Sequence, residues 1–159
     1  MENQLQILIF EVAGQRYALG LGQLREVVRA VAITPLPGAP PMVEGVIDRR
    51  GSLVPVVEVR PRLGLETKPI DAADHFIIAE AAGQTVALRV DGANELREIP
   101  EPSLESAREL APEADTILGV ARLPDGLVVV QDLGRFLSAA DAEALAAALD
   151  ALRNGGERG

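Results

Sequence analysis

The stretch Val43–Arg60, VEGVIDRRGSLVPVVEVR, decides the fold, because it reads as two strands folded on each other across a turn at Asp48-Arg49-Arg50-Gly51. Asp at the start of such a turn and Gly at its end suit a short hairpin connection, with the glycine in a left-handed conformation at no steric cost. Val, Ile and Leu fill both flanks, at alternate and then adjacent positions, as in β-branched strands that are half buried and in places buried on both faces. The hairpin therefore has an apolar body and a basic tip, Arg49 and Arg50. Arginines on a turn are most often solvated charges, so the tip alone assigns no function.

Upstream, residues 7–21, ILIFEVAGQRYALGL, give two apolar runs broken at Ala13-Gly14-Gln15, which predicts a hairpin. In residues 22–30, GQLREVVRA, Leu24, Val27 and Val28 lie at helical spacing, consistent with a short helical turn before a strand through Val31 and Ile33. Four prolines within Pro35–Pro41 then forbid helix and ladder alike and leave a stiff surface segment leading into the central hairpin.

Downstream, residues 61–74, PRLGLETKPIDAAD, hold prolines, a glycine and no sustained period, and read as a connection. Beyond it, the second half of the chain repeats the first. Ala13-Gly14-Gln15 with Ala18-Leu19 returns as Ala82-Gly83-Gln84 with Ala87-Leu88, 69 residues on. Leu24-Arg25-Glu26-Val27 returns as Leu96-Arg97-Glu98-Ile99, 72 on, and Gly45-Val46 as Gly119-Val120, 74 on. Three matches in the same order indicate two copies of one β unit, with a period too long for a solenoid.

The second copy carries an acidic insertion in which Ser103 can cap a brief helix through Leu104, Ala107 and Leu110. Its main hairpin, ILGVARLPDGLVVVQDL, turns at Pro124-Asp125-Gly126 and so lacks a basic tip. Near the end, Ser138 can cap a helix whose Leu145, Leu149 and Leu152 form one stripe, stopped by Asn154-Gly155-Gly156. That stripe is expected to dock on the β body, with a partner groove as the alternative. The division predicted is a first lobe over about 15–66, a linker over 67–74, a second lobe over 75–137 to which the first strand is free to pair, and a helix over 139–153.

Composition bounds the function. The 159 residues are 48% hydrophobic, enough for a packed core. No cysteine is present, which removes disulfides, thiolate nucleophiles and thiolate metal sites and fits a reducing compartment, so a cytoplasmic protein is expected. The net charge of -9 argues against a nucleic-acid groove. That charge is uneven: residues 1–70 carry 8 basic and 7 acidic side chains, a net of +1, and the remainder a net of -10. The single histidine, His75, has no nucleophile motif around it, and neither phosphate-loop nor dinucleotide glycine patterns occur. No catalytic residue, cofactor or metal ligand is expected.

The run Val43-Glu44-Gly45-Val46-Ile47-Asp48-Arg49-Arg50-Gly51, continued by Val54-Pro55-Val56, resembles the CheW family, the coupling proteins of bacterial chemotaxis arrays. The resemblance extends through Leu24–Val28, Thr34–Gly38, Val90-Asp91-Gly92, Gly119-Val120 and Asp132-Leu133. It implies a mainly β fold of two small SH3-like five-stranded β-barrels packed on each other. It also implies a non-enzymatic adaptor that ties the cytoplasmic tip of a chemoreceptor to the regulatory domain of a CheA-type histidine kinase, meeting the membrane only through that receptor. The family's coupling arginine, just before the hairpin glycine, corresponds to Arg50, and Leu24 and Glu26 match positions associated with partner contacts. Gly51 and Arg49 complete the expected partner-binding set. The chain departs from the family pattern at Arg49, where an apolar residue is usual, and at Glu58-Val59, where Asp-Leu is usual. The rival from another class is a stand-alone β module that binds a small ligand between its lobes.

Overall fold

The computed structural model describes residues 4–20, 24–81, 83–100, 104–106, 117–131 and 144–151. Eleven strands are described: β1 (Gln4–Val12), β2 (Gln15–Gly20), β3 (Leu24–Arg29), β4 (Val43–Arg49), β5 (Ser52–Glu58), β6 (His75–Ala81), β7 (Gln84–Val90), β8 (Gly92–Pro100), β9 (Leu104–Ser106), β10 (Ile117–Leu123) and β11 (Gly126–Gln131). A 3-10 turn, Arg60–Leu63, comes directly after β5, and a helix, α1, spans 144–151.

The strands form two sheets, ordered β8-β1-β2-β11-β10-β9 and β3-β6-β7-β5-β4. Each half of the chain lends its opening hairpin to the other: β1 and β2 lie between β8 and β11, while β6 and β7 lie between β3 and β5. The contiguous division at 15–66 and 75–137 therefore describes the repeat in the chain and not the make-up of the sheets.

Burial explains the exchange. In β1, Ile7 and Ile9 enter an apolar cluster within the first sheet, with Ala18, Val128 and Val130, while Leu8, Phe10 and Val12 enter a larger cluster shared by both sheets. In β6, Phe76 and Ile78 fill the second sheet's own cluster, while Ile77 and Ala79 join the shared one. Runs such as ILIF, apolar at every position, belong to strands covered on both faces.

The repeat is visible in the ladders. Ala18 pairs with Val130 in the parallel β2–β11 contact, and Ala87 with Val56 in β7–β5, so the offsets of 69 and 74 hold. Both main hairpins also carry a register shift beside their glycine, between Val43 and Gly45 and between Ile117 and Gly119. The match at 72 does not hold: Val27 faces Ile77, and the equivalent contact to Leu8 is made by Leu96, 69 residues on. Leu-Arg-Glu-Val and Leu-Arg-Glu-Ile are three residues out of structural register.

Three further expectations are corrected. Residues 24–29 form a strand, because a bulge at Arg25 puts Leu24 and Val27 on the shared-core face and Val28 on the other, which mimics helical spacing. Leu104–Ser106 is a strand on the edge of β10, not the start of a helix; the rest of that helix reading lies outside the described residues. The lobes are not closed barrels either. Among the described residues, the gap in the second sheet between β3 and β4 is spanned by a single bridge, Thr34 to Val46, with N–O distances of 2.9 and 2.7 Å. Helix α1 buries Leu145, Ala148 and Leu149 in the shared core, as its stripe predicts, while Ser138, Leu152 and the stop signal lie outside the described residues. No helix among the described residues is long and apolar enough to cross a membrane.

Candidate functional site

At the β4–β5 hairpin Arg49 pairs with Ser52, so the turn is Arg50-Gly51 alone. Both residues have positive φ, +55° and +88°, the pattern of the tight turn that matches strand twist. The left-handed conformation expected only of the glycine is thus shared by an arginine. The turn is fixed from within by the Gly51 amide, which donates to Asp48 Oδ1 at 2.8 Å.

The two arginines diverge. Arg49 turns back over the sheet to β3, where its Nε donates to Glu26 Oε1 at 3.0 Å and its Nη2 to the same oxygen. Arg50 is exposed and has no hydrogen-bond or ion-pair partner among the described residues. Leu24 shares β3 with Glu26 but lies half-buried against the shared core, on the opposite face. The structure thus joins Glu26 to Arg49, places Arg50 and Gly51 at the tip beyond them, and makes Leu24 a packing residue.

Two charge clusters escaped the sequence reading. The first is centred on Arg89, only 3% exposed, whose five hydrogen bonds match the five N–H groups of a guanidinium. It donates to Glu44 Oε1 at 2.6 Å, to Asp74 Oδ2 at 2.9 Å, to Glu58, and to the Lys68 and Pro69 carbonyls at 2.6 and 3.5 Å. Alongside, Arg60 Nη2 donates to Asp91 Oδ1 at 2.6 Å, and Asp91 Oδ2 accepts from the Ala13 amide at 2.8 Å. Burial pushes the Glu58 carboxyl above its ordinary value although Arg89 opposes it. Burial acts the same way on Asp91, but the Ala13 amide, Arg60 and Lys68 outweigh it and hold that carboxyl below the ordinary range. The cluster ties β4, β5, β7 and the connection 64–74 together. Its signal in the sequence was a lone Glu58 and a lone Arg89 of opposite sign inside otherwise apolar strands.

The second cluster closes the other lobe. Arg97 on β8 donates two parallel bonds of 2.8 Å to Asp125 in the β10–β11 turn, and Arg16 on β2 adds a third at 3.0 Å. These bonds, Arg97 first, hold the Asp125 carboxyl well below its ordinary range and push the Arg97 guanidinium up.

A cleft of about 400 Å³ opens over Arg89, lined by Pro41, Pro61, Lys68 and Ile70 among others. The Arg89 guanidinium that lines it has spent its donors on the protein itself, which leaves Thr67 and Lys68 as the polar side chains facing the cleft beside the paired carboxylates of Glu44 and Glu58.

A two-lobed β protein with an exposed arginine on a tight turn that has no partner among the described residues, and with the buried charges of those residues matched, has the features of a binding scaffold. Comparison with known proteins gives the family. The CheW-like domain matches residues 6–141, and the chain belongs to that family. It is 30% identical to the chemotaxis protein CheW of Bacillus subtilis over 140 residues, 88% of this chain and 85% of the relative. Chemotaxis protein CheW of Rhizobium meliloti is 23% identical over 141 residues, 87% of this chain and 91% of the relative. Among solved structures, the scaffolding protein TtCheW from Thermoanaerobacter tengcongensis superposes with a TM-score of 0.77 at 28% identity, covering 89% of this chain and 96% of that one.

Proposed function

We propose that the chain is a cytoplasmic signalling adaptor without catalytic activity, which couples chemoreceptors to the regulatory domain of a CheA-type histidine kinase through the β4–β5 hairpin tip. The observation that carries this is Arg50. A side chain other than glycine in the left-handed region costs roughly 1–2 kcal/mol, and asparagine or glycine would serve the turn better. An arginine placed there, exposed and without a partner among the described residues, is available to bind outside the monomer. Arginine is also a frequent hot spot at partly desolvated interfaces. Family membership and the scaffolding relative support the same reading.

The test is titration calorimetry of the chain and its Arg50→Glu variant against the regulatory domain of the host's CheA-type kinase and against a receptor-tip fragment. Truncation at a hot spot is worth roughly 2 kcal/mol, so a loss of about 30-fold or more in affinity for one partner is expected, with an unchanged thermal melt. Equal affinity for both partners would defeat the assignment of the tip.

A further inference from the structure

We infer that two copies of this chain exchange halves to form a reciprocal dimer, in which residues 4–63 of one copy complete the sheets of residues 75–151 of the other and the connection 64–74 is the hinge.

The ladders carry this inference. Among the named strands, the pairs formed within one half are β1–β2 and β4–β5 in the first and β6–β7, β10–β11 and β9–β10 in the second. The four ladders that join those pairs and β3 into sheets, β1–β8, β2–β11, β3–β6 and β5–β7, all run from one half to the other. An isolated hairpin is marginal in water, so each half depends on its complement. The core obeys the same division: Leu8, Phe10 and Val57 of the first half pack in one cluster with Ile77, Leu88 and Leu149 of the second. A second copy presents the identical complement. Two monomers and one exchanged dimer thus share these ladders and this core, and the balance between them rests on chain concentration and on the connection.

The connection has the build of a hinge. The chain leaves its 3-10 turn through Gly64, at φ +75°, with the Leu65 amide donating to the Arg60 carbonyl at 2.8 Å. It enters β6 through a second turn, in which the Asp74 amide donates to the Asp71 carbonyl at 2.9 Å. Between those turns Glu66, Thr67, Pro69 and Ile70 are exposed, and no backbone-to-backbone bond with a described residue holds them. Pro69 biases Lys68 before it toward extended backbone, as an open hinge requires. What clasps the segment is Arg89, through the Lys68 and Pro69 carbonyls at 2.6 and 3.5 Å. Its bonds to Glu44 and Glu58 join second half to first and re-form whichever copy supplies the first. Each exchanged unit also keeps a complete β4–β5 hairpin, so the dimer carries two Arg50 tips. Its use as a two-headed adaptor rests on the function proposed above, whereas the exchange itself does not.

The chain has no cysteine, so single cysteines report on the exchange. Gln6 and Glu98 are exposed and directly opposed across β1–β8, and opposed residues of an antiparallel pair have Cα atoms about 4.5–5.5 Å apart, within reach of a disulfide. Full-length Gln6→Cys and Glu98→Cys chains, unfolded together and refolded at high concentration, should give a covalent dimer on oxidation. Light scattering of the native chain should show a dimer whose fraction rises with concentration. The two cysteine variants refolded apart in dilute solution and then mixed should give no covalent dimer. Hinge length should set the yield. Removing Thr67-Lys68-Pro69 shortens the hinge by roughly 10 Å at about 3.3 Å per residue and should raise the dimer fraction about tenfold, because a short strained hinge invites exchange. Four Gly and Ser residues inserted after Thr67 should lower it. If the shortened variant does not fold, the native and lengthened chains carry the comparison. A native chain that stays monomeric and gives no covalent dimer would overturn the inference. So would a covalent dimer that ignores hinge length or forms equally from chains refolded apart, which marks collision between folded surfaces. None of these outcomes touches the adaptor reading, whose test is partner binding.

Discussion

The hairpins β4–β5 and β10–β11 hold equivalent places in the two sheets, and they handle charge in opposite ways. The first spends one arginine on Glu26 and leaves the next, Arg50, exposed on a left-handed turn. The second turns through Pro124-Asp125 and gives its aspartate to two arginines of its own sheet. One tip is open to a partner and the other is satisfied in itself. The interiors differ too. Arg89, with Glu44, Glu58 and Asp74, forms a buried charged hub in the sheet that carries the basic tip, whereas the residue equivalent to Arg89 at the offset of 69 is Gly20. The two halves share the frame and differ in where they place charge on it.

The largest effect expected sets the buried hub against the exposed one. Arg89→Met leaves three carboxylates facing one another in a dry site, and breaking a buried pair from one side costs about 3–5 kcal/mol. Arg97→Met removes an exposed contact, and such pairs contribute little to stability because water screens them. Urea unfolding should show the first variant severely destabilised and the second near native; similar midpoints would mean the two hubs are energetically alike.

Next comes closure. Gly45→Ala forces a Cβ into the Thr34 carbonyl and should cost about 1–3 kcal/mol, as overpacking does, with the bridge to Val46 opening first. Gly51→Ala has open space around it and suffers only from its φ of +88°, at roughly 1–2 kcal/mol. Thermal melts with hydrogen exchange at the Val46 amide would separate the two, and a harmless Gly45→Ala would show that the mouth is looser than the contact implies.

A smaller effect is pH dependence. Glu58 has its carboxyl raised in the folded state, so that state holds more protons than the unfolded chain just above the ordinary value of 4.5, and stability falls as pH rises through that window. Asp91 is lowered, so its contribution is present above the ordinary value of 3.8 and is lost as pH falls through its folded value. Glu58→Gln should remove the decline above pH 4.5 and keep the acid loss. Denaturation midpoints across this range, measured for both proteins, would show whether the slope belongs to Glu58.

Sequence periodicity reached the strands, the repeat and the docking face of α1, because burial on alternate or on both faces leaves a local pattern in Leu8–Phe10 or Val54–Val57. The exchange of hairpins was legible only in part: the sequence leaves the first strand free to pair with the second lobe, and β1 does pair with β8, but the passage of β6 and β7 into the other sheet was hidden. β1–β2 would show the same apolar runs beside either half, and only the ladders of Ala18 with Val130 and Ala87 with Val56 assign them. The bulge at Arg25 misled in a specific way, since one extra residue turns a strand's period of two into a local spacing of three. At the hairpin tip the turn and the exposure of Arg50 were legible, but the Arg49–Glu26 pair was not: its partners lie 23 residues apart and meet only because the sheet curls.

The smallest change in stability sharpens the comparison of the tips most. Arg50→Asn turns the hairpin tip into Asn-Gly, the sequence that this type of turn favours, because asparagine tolerates the left-handed region that arginine occupies at a cost. The variant should melt slightly higher, with a gain of roughly 0.5 kcal/mol, since part of that cost is recovered and no bond to a described residue is lost. Partner binding should fall in the same protein. A gain in stability coupled to a loss of affinity is the mark of a residue retained for recognition, and it is not expected at the second tip, where replacing Asp125 removes bonds to Arg16 and Arg97 and gains nothing in return. If Arg50→Asn instead lowers the melting temperature, the arginine is holding the turn, and the two tips are alike after all.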